Sequence, residues 1–271
     1  MTMPSALVLG GGGLLGIGWM TGVLAALEES GSVVAADADV VVGTSAGSAT
    51  AAAILQLGSA TSYFDAMVRK SRRNRELAPT GDVIASMQAF AAIAASGMSD
   101  SERARRFIAL SDALATAAPQ ARRDAVASRL SGSIWPEALQ VTAIRADGVL
   151  EVFSPDSGVD LVDAVTASCA VPGIWPTVSI DGSTYFDGGS FSPTNAHLAA
   201  ASEHVVVIAP VPDDPQTAPP PIAAVLARAR VVAPSARTLS LSGDNPFDPD
   251  IRGLAASLGY DDGVDAMSAF D

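Results

Sequence analysis

A serine hydroxyl can attack an acyl carbonyl when a base takes its proton and backbone amides cradle the oxyanion. Ser45 lies in Gly43-Thr44-Ser45-Ala46-Gly47, directly after the apolar run Val40-Val41-Val42. A Gly-x-Ser-x-Gly pentapeptide on a sharp strand-to-helix turn pushes the hydroxyl out of the fold. Gly43 and Gly47 suit such a turn, since a side chain at either flank would meet the adjoining strand or helix. Ser45 then stands at a helix N-terminus, where free N–H groups and the helix dipole favour developing negative charge. The competing reading is a tightly packed small-residue turn with no chemistry. The strand-like run before Ser45 and the helix-forming stretch from Ser48 to Leu55 after it favour the nucleophile.

A serine hydroxyl needs a base, and His197 and His204 are the only histidines. His204 stands immediately before the apolar run Val205 to Ile208 and reads as a strand-entry residue. His197 reads as a helix-surface residue, and neither has the setting of a triad histidine. Asp187, in Tyr185-Phe186-Asp187-Gly188-Gly189, is the better candidate, because Gly188 and Gly189 leave its carboxylate room to approach another backbone. Alone, the same residues also read as an ordinary Asp-Gly-Gly turn. The glycine run Gly10 to Gly16 offers amide donors without side chains in the way, at Gly11, Gly12, Gly13 and Leu14. Gly11-x-Gly13-x-x-Gly16 between a strand and a helix is also the dinucleotide fingerprint. Dinucleotide binding wants an acid at the C-terminal end of the second strand. Asp37 and Asp39 precede that strand, and its end runs into the Ser45 turn.

The elements that must position these residues follow from periodicity. Residues 5 to 9 read as a buried strand, ended by the glycines. Met20, Val23, Leu24 and Leu27 recur at helical spacing up to Glu29, and Gly31 suits the helix stop. Val40 to Val42 is a second strand, so the chain opens as a parallel α/β sheet. Residues 59 to 130 read as a helical insertion beside it. Asp82 caps a helix carrying Val83, Ile84, Met87, Phe90 and Ala94, and Ser99 to Glu102 forms a capping box before another. Asp147-Gly148 joins one hairpin (139–146 and 149–153) and Asp181-Gly182 another (178–180 and 184–186). A short helix over 163–169 is stopped by Val171-Pro172-Gly173, and 205–208 is a core strand. A Pro-rich loop over 210–221 precedes helical stretches near 222–232 and 250–258. Trp19, Met20, Met87, Phe90 and Met98 either line an acyl channel or fill the core, and core is the commoner use of such residues.

Composition narrows the function classes. With 271 residues the chain is long enough for one large domain or two small ones, and 49% hydrophobic with 17% charged residues argues against a disordered segment; a single domain over 1–271 is the expectation. A net charge of −13 disfavours nucleic acid as a partner. Cys169 is the only cysteine, so an intrachain disulfide and a zinc-type Cys/His pattern are both excluded. The N-terminus lacks the basic region of a signal peptide, and its apolar stretch is too short to span a bilayer. Cytoplasmic residence is the expectation. The basic run Arg69 to Arg75 either touches lipid headgroups transiently or forms a solvated helix face, the more usual case.

The ordered set of the glycine loop Gly11 to Gly16, the Gly43 to Gly47 elbow and Asp187-Gly188-Gly189 resembles the patatin-like phospholipase family. The segment Ala167 to Gly173, followed by Pro176, is similar to the stretch that precedes that family's aspartate. The resemblance covers about residues 5 to 210. It implies a three-layer α/β/α fold with a mostly parallel sheet. It also implies a Ser45–Asp187 dyad without histidine, no cofactor or metal, and hydrolysis of lipid acyl esters such as phospholipids, lysophospholipids or acylglycerols. A catalytically silent lipid-binding module is the alternative within the same fold. Many family members carry a basic residue in the oxyanion loop, where this chain has Leu14 and Leu15, so a charge contributed by the loop is not expected here.

Overall fold

The first two strands of the sheet read as unbroken apolar runs, Ala6 to Leu9 and Val40 to Val42, because both of their faces are covered. The computed structural model describes residues 5–68, 76–114, 117–241, 243 and 245–269. Strand β1 (Ser5–Leu9) leads into helix α1 (Gly13–Glu29), and β2 (Val40–Thr44) leads into α2 (Ala46–Leu57). Four helices follow: α3 (Ala60–Val68), α4 (Val83–Ala94), α5 (Asp100–Leu114) and α6 (Pro119–Ala127). They occupy the expected insertion, and Asp82 and Ser99 cap α4 and α5 as the sequence implies. The hairpin β3 (Leu139–Arg145) and β4 (Leu150–Phe153) is followed by α7 (Leu161–Ser168) and the hairpin β5 (Val178–Ile180) and β6 (Ser183–Asp187). The chain closes with β7 (His204–Ile208), α8 (Pro220–Leu226), β8 (Arg230–Val232), α9 (Ala236–Leu241) and α10 (Arg252–Ala266).

The sheet runs β5-β6-β3-β2-β1-β7-β8, with β4 also paired to β3. Strands β3, β2, β1, β7 and β8 are parallel, whereas β4, β5 and β6 are antiparallel to their neighbours. Alternate residues of β1 feed two separate cores. Leu7 and Leu9 pack with α1, α2 and α7, while Ala6 and Val8 pack with Val205, Val207, Ile222 and Val225 on the opposite face. The result is the three-layer α/β/α arrangement with a mostly parallel sheet.

Helix α1 is buried over nearly its whole surface, as its apolar composition demands. It is sandwiched against α10, whose Gly259 packs directly on the Trp19 backbone. The indole N–H of Trp19 donates to Asp262 at 2.7 Å. The insertion docks on the sheet through aromatic rings: Phe90 to Phe107 at 4.9 Å between centroids, and Phe107 to Phe186 at 5.7 Å.

Two expectations near the C-terminus need correction. The helix expected over 222–232 ends at Leu226, and Arg230–Val232 is an edge strand hydrogen-bonded parallel to Val206–Ile208. The β-branched pair Val231-Val232 found a sheet edge to extend, which helical periodicity alone cannot reveal. The helix expected over 250–258 continues to Ala266, because Gly259 and Gly263 allow its close approach to α1. The basic run Arg69 to Arg75 lies outside the described residues.

Candidate active site

Ser45 sits where β2 stops and α2 begins, at φ 53° and ψ −118°. Positive φ at a non-glycine residue is strained, by roughly 1–3 kcal/mol, and persists only when the surroundings enforce it. Here they do. A Cβ on Gly47 would run into the Leu9 carbonyl, and one on Gly43 would meet the Ser48 backbone. The Ser45 N–H donates to Ser168 Oγ at 2.9 Å, and its carbonyl accepts from Ser48 Oγ at 2.7 Å and from the Cys169 thiol at 3.1 Å. The end of α7 therefore clamps the elbow from outside the pentapeptide. The sequence signal for this lay in Ser168-Cys169, inside the segment similar to the family's, but nothing local assigned those side chains to Ser45.

Asp187 ends β6, and β3 explains how it meets Ser45 from 142 residues away in sequence. Thr44, the residue before Ser45, pairs with Thr142, and Asp187 pairs with Ala143, the next residue along β3. One strand thus aligns both ends of the polar pair. Asp187 is 3% exposed; its Oδ1 accepts the Gly189 N–H at 2.7 Å, and Oδ2 is buried without a hydrogen-bond partner. Burial pushes its pKa up to about 7, against the opposing pull of the neighbouring Ser45 hydroxyl, the Gly189 N–H and Arg122. The hydroxyl thus lies beside the carboxylate without hydrogen-bonding to it.

Beneath the Asp187 turn lies a polar network that the sequence did not disclose. Thr44 and Thr142 bond at 2.9 Å, and Asn195 Nδ2 donates to Thr44 Oγ1 at 3.0 Å and to Gly188 O at 3.3 Å. Gly188 fits against Thr142 with no space for a Cβ. Asp213 accepts from Ser192 Oγ at 2.9 Å and from Thr194, fixing the loop that follows the turn.

The glycine loop curls over Ser45. Gly11, expected as an oxyanion donor, points its N–H at Pro193 O at 2.9 Å, so that donor is engaged. Loop closure against Pro193 claims it. The N–H groups of Gly12, Gly13 and Leu14 make no hydrogen bond among the described residues, and they open the first turn of α1. Gly16 lies within that helix, close to Pro210 and Ala46. Gly12, Gly13, Ser45, Asp187 and Gly189 line a cavity of about 300 Å³ whose other walls are apolar, with Leu15, Met87, Phe90, Leu239 and Phe247 among them. Met87 and Phe90 therefore face this cavity, whereas Trp19 and Met20 are core and Met98 is exposed. Size alone does not locate the site. A larger cavity of about 520 Å³ lies at the N-terminal ends of β1 and β7 and contains His204 but neither Ser45 nor Asp187.

His204 pairs with Ser5 at the opposite end of the strands from Ser45. His197 stacks edge-on against Phe191 and makes no hydrogen bond to Ser45 or Asp187. Asp39, the nearest acid before β2, accepts the Ser5 N–H at 2.7 Å at that same far end. The end of β2 beside the glycine loop therefore carries Ser45 where dinucleotide binding wants an acid.

The insertion contributes charge as well as apolar wall. Arg122, on α6, is buried with its guanidinium carbon 4.1 Å from the centroid of the Trp175 ring. Nearby, Glu76 accepts from Arg129 Nε at 2.8 Å and from Arg252 at 2.8 Å. Burial alone would raise the Glu76 pKa, but the flanking guanidiniums outweigh it and hold the carboxyl below its ordinary value.

Among the described residues no helix is long and apolar enough to cross a membrane. The sequence model of the family described as patatin-like phospholipase matches residues 7–200. No curated protein sequence matches. Among solved structures, VipD from Legionella pneumophila aligns at 15% identity with a TM-score of 0.53, over 98% of this chain and 67% of that one. The type III effector protein ExoU aligns at 18% identity with a TM-score of 0.45, over 98% of this chain and 53% of that one. This chain thus spans about half the length of ExoU. By the extent of the family match, which takes in the glycine loop, the elbow and Asp187, the chain belongs to the patatin-like phospholipase family.

Proposed function

We propose that this chain is a serine acyl hydrolase acting on lipid esters, with Ser45 as nucleophile and Asp187 as the general acid and base. One observation carries the reading: Ser45 and Asp187 line one apolar cavity together with amides that have no partner. Ser45 Oγ attacks the acyl carbonyl carbon as its proton passes to Asp187. The carbonyl oxygen becomes negative and takes hydrogen bonds from the Gly12, Gly13 and Leu14 N–H groups, reinforced by the α1 dipole. Collapse expels the alcohol, which leaves with the proton held by Asp187. Water then attacks the acyl-enzyme and gives its proton to Asp187, and a second collapse releases the fatty acid as that proton passes back to Ser45 Oγ, restoring both groups.

A carboxylate is ordinarily too weak a base for a hydroxyl. Burial narrows that gap by lifting Asp187 to about 7, where a general base is best matched to neutral pH. The apolar walls suit an acyl chain better than a charged headgroup, which supports a lipid ester over a polar one. Strand β7 and helix α10 lie beyond the matched residues, yet β7 pairs with β1 and α10 packs on α1, which supports one hydrolase unit spanning the chain.

The test is covalent labelling with a fluorophosphonate, followed by mapping of the modified residue. Modification of Ser45, lost in Ser45→Ala, is the expected result. Modification elsewhere, or none in a folded protein, rejects the assignment.

A further inference from the structure

Arg122 is the buried charge that these steps leave without a task. It is 4% exposed, its Nε is fully enclosed, and its guanidinium makes no hydrogen bond to a described residue. A buried guanidinium ordinarily pairs with a carboxylate. Glu76 cannot serve, since Arg129 holds it through Nε and Nη2 at 2.8 and 2.7 Å and Arg252 through Nη1 at 2.8 Å. Three guanidiniums thus surround one carboxylate, and Arg122 is the one left over. Its position is nonetheless fixed. The adjacent Arg123 ties α6 to α7 through Asp163 at 2.5 Å and Asp160 at 3.1 Å, and α7 is the helix whose end clamps Ser45.

Between Arg122 and Ser45 lies a second cavity of about 20 Å³, with Gly13, Leu14 and Ala46 in its wall. That volume holds one water-sized atom and excludes a phosphate group. The Gly13 and Leu14 N–H groups without partners belong to residues that line it.

We propose that this small cavity receives the oxyanion and that Arg122 is its cation, supplied by the helical insertion in place of a basic residue in the glycine loop. The inference rests on the serine hydrolase reading above. When Ser45 Oγ bonds to the carbonyl carbon, the π electron pair of the carbonyl moves onto its oxygen. Arg122 donates a hydrogen bond to that oxygen and keeps its proton. When the bond to the leaving group breaks, the pair returns and the carbonyl re-forms. A cation in a dry pocket acts most strongly where charge develops, so its effect falls on the rate of the chemical step rather than on substrate binding. Arg122 also faces Asp187, Cys169, Glu76 and Arg129; burial and Arg129 pull its own pKa down to about 10, while the other three act against them.

The experiment follows p-nitrophenyl ester hydrolysis from pH 6 to 11 in the wild type, Arg122→Met and Arg122→Lys, with fluorophosphonate labelling of Ser45 as the reference. Arg122→Met is expected to lower kcat by about 100-fold, in line with loss of one oxyanion donor, and to leave KM little changed. Its acid limb moves to higher pH, because Asp187 loses a cation that favours its charged form. Arg122→Lys recovers part of kcat and loses it at lower pH than the wild type, because a buried ammonium gives up its proton more readily than a guanidinium. A wild type that labels at Ser45 beside an Arg122→Met variant with unchanged kcat and acid limb overturns the Arg122 role and leaves the serine reading standing. A folded wild type that neither labels nor hydrolyses brings down both. If Arg122→Met does not fold, Arg122→Lys decides: an earlier alkaline loss supports the role, and a wild-type profile overturns it.

Discussion

The floor of the cavity and its wall are built by different physics. Ser45, Asp187 and the glycine amides of the floor are placed by backbone: a strained turn, a strand register and a helix start. Met87 and Phe90 of the wall are placed by side chains of helices leaning on Trp175, Phe107 and Phe186. Backbone placement leaves little slack, since a Cβ on Gly47 or Gly188 has nowhere to go. Packed helices can shift and exchange residues at modest cost. The floor is thus suited to chemistry, which tolerates errors of only fractions of an ångström, and the wall to choosing the substrate.

The largest test of this contrast is on the floor. Ser45→Ala is expected to lower kcat for a p-nitrophenyl ester by about 10⁴-fold or more while far-UV circular dichroism stays unchanged. Retained turnover in that variant would move the chemistry elsewhere.

Asp187→Asn is expected to lower kcat by about 10²–10⁴-fold and, in the opposite sense, to stabilise the fold at pH 8. Asp187 binds its proton in the native state up to about pH 7, whereas its ordinary pKa is 3.8. The stability from this group is fully present below that ordinary value and is lost as pH rises through about 7. At pH 8 the wild type holds a buried charge that asparagine lacks. The melting temperature of the variant therefore rises at pH 8, by the equivalent of about 1–4 kcal/mol, and the gain vanishes below pH 4. The same group sets the wild-type rate profile, with kcat/KM falling as pH drops below about 7 because the base becomes protonated. A profile flat down to pH 5 would remove Asp187 as base.

The wall predicts a different kind of loss. Phe90→Ala should change the ratio of kcat/KM between long-chain and short-chain esters by about 10-fold and spare turnover of an acetyl ester. A uniform fall across all chain lengths would mean that the wall positions the floor as well. Smallest of all, His204→Gln should leave hydrolysis within about twofold, since it stands at the far end of the sheet. A fall comparable to that of Ser45→Ala would reinstate a histidine base.

The same division governs what could be read before folding. The elbow, the glycine loop and the two Asp-Gly hairpins are local events written in adjacent residues, and the structure puts them where their spacing implies. Edge strand β8 has no local signature, because Arg230-Val231-Val232 becomes a strand only when Val206 to Ile208 is present to pair with it. The engagement of the Gly11 N–H by Pro193 was invisible for a similar reason, as was the hold of Ser168 and Cys169 on Ser45. Arg122 was one of fifteen arginines, ten of them within residues 59–130, with no local feature to distinguish it.

By itself, then, the chain determined its turns, its buried strands and the residue types on hand for acyl chemistry, because φ/ψ preference and apolar period act over a few neighbouring residues. Tertiary structure decided which carboxylate meets the serine, which amides stay free, and which arginine lies beside the elbow without a hydrogen bond. Those outcomes depend on β3 pairing with both β2 and β6 and on α6 docking against α7, contacts between segments far apart in sequence whose strength comes from burial rather than from any local pattern.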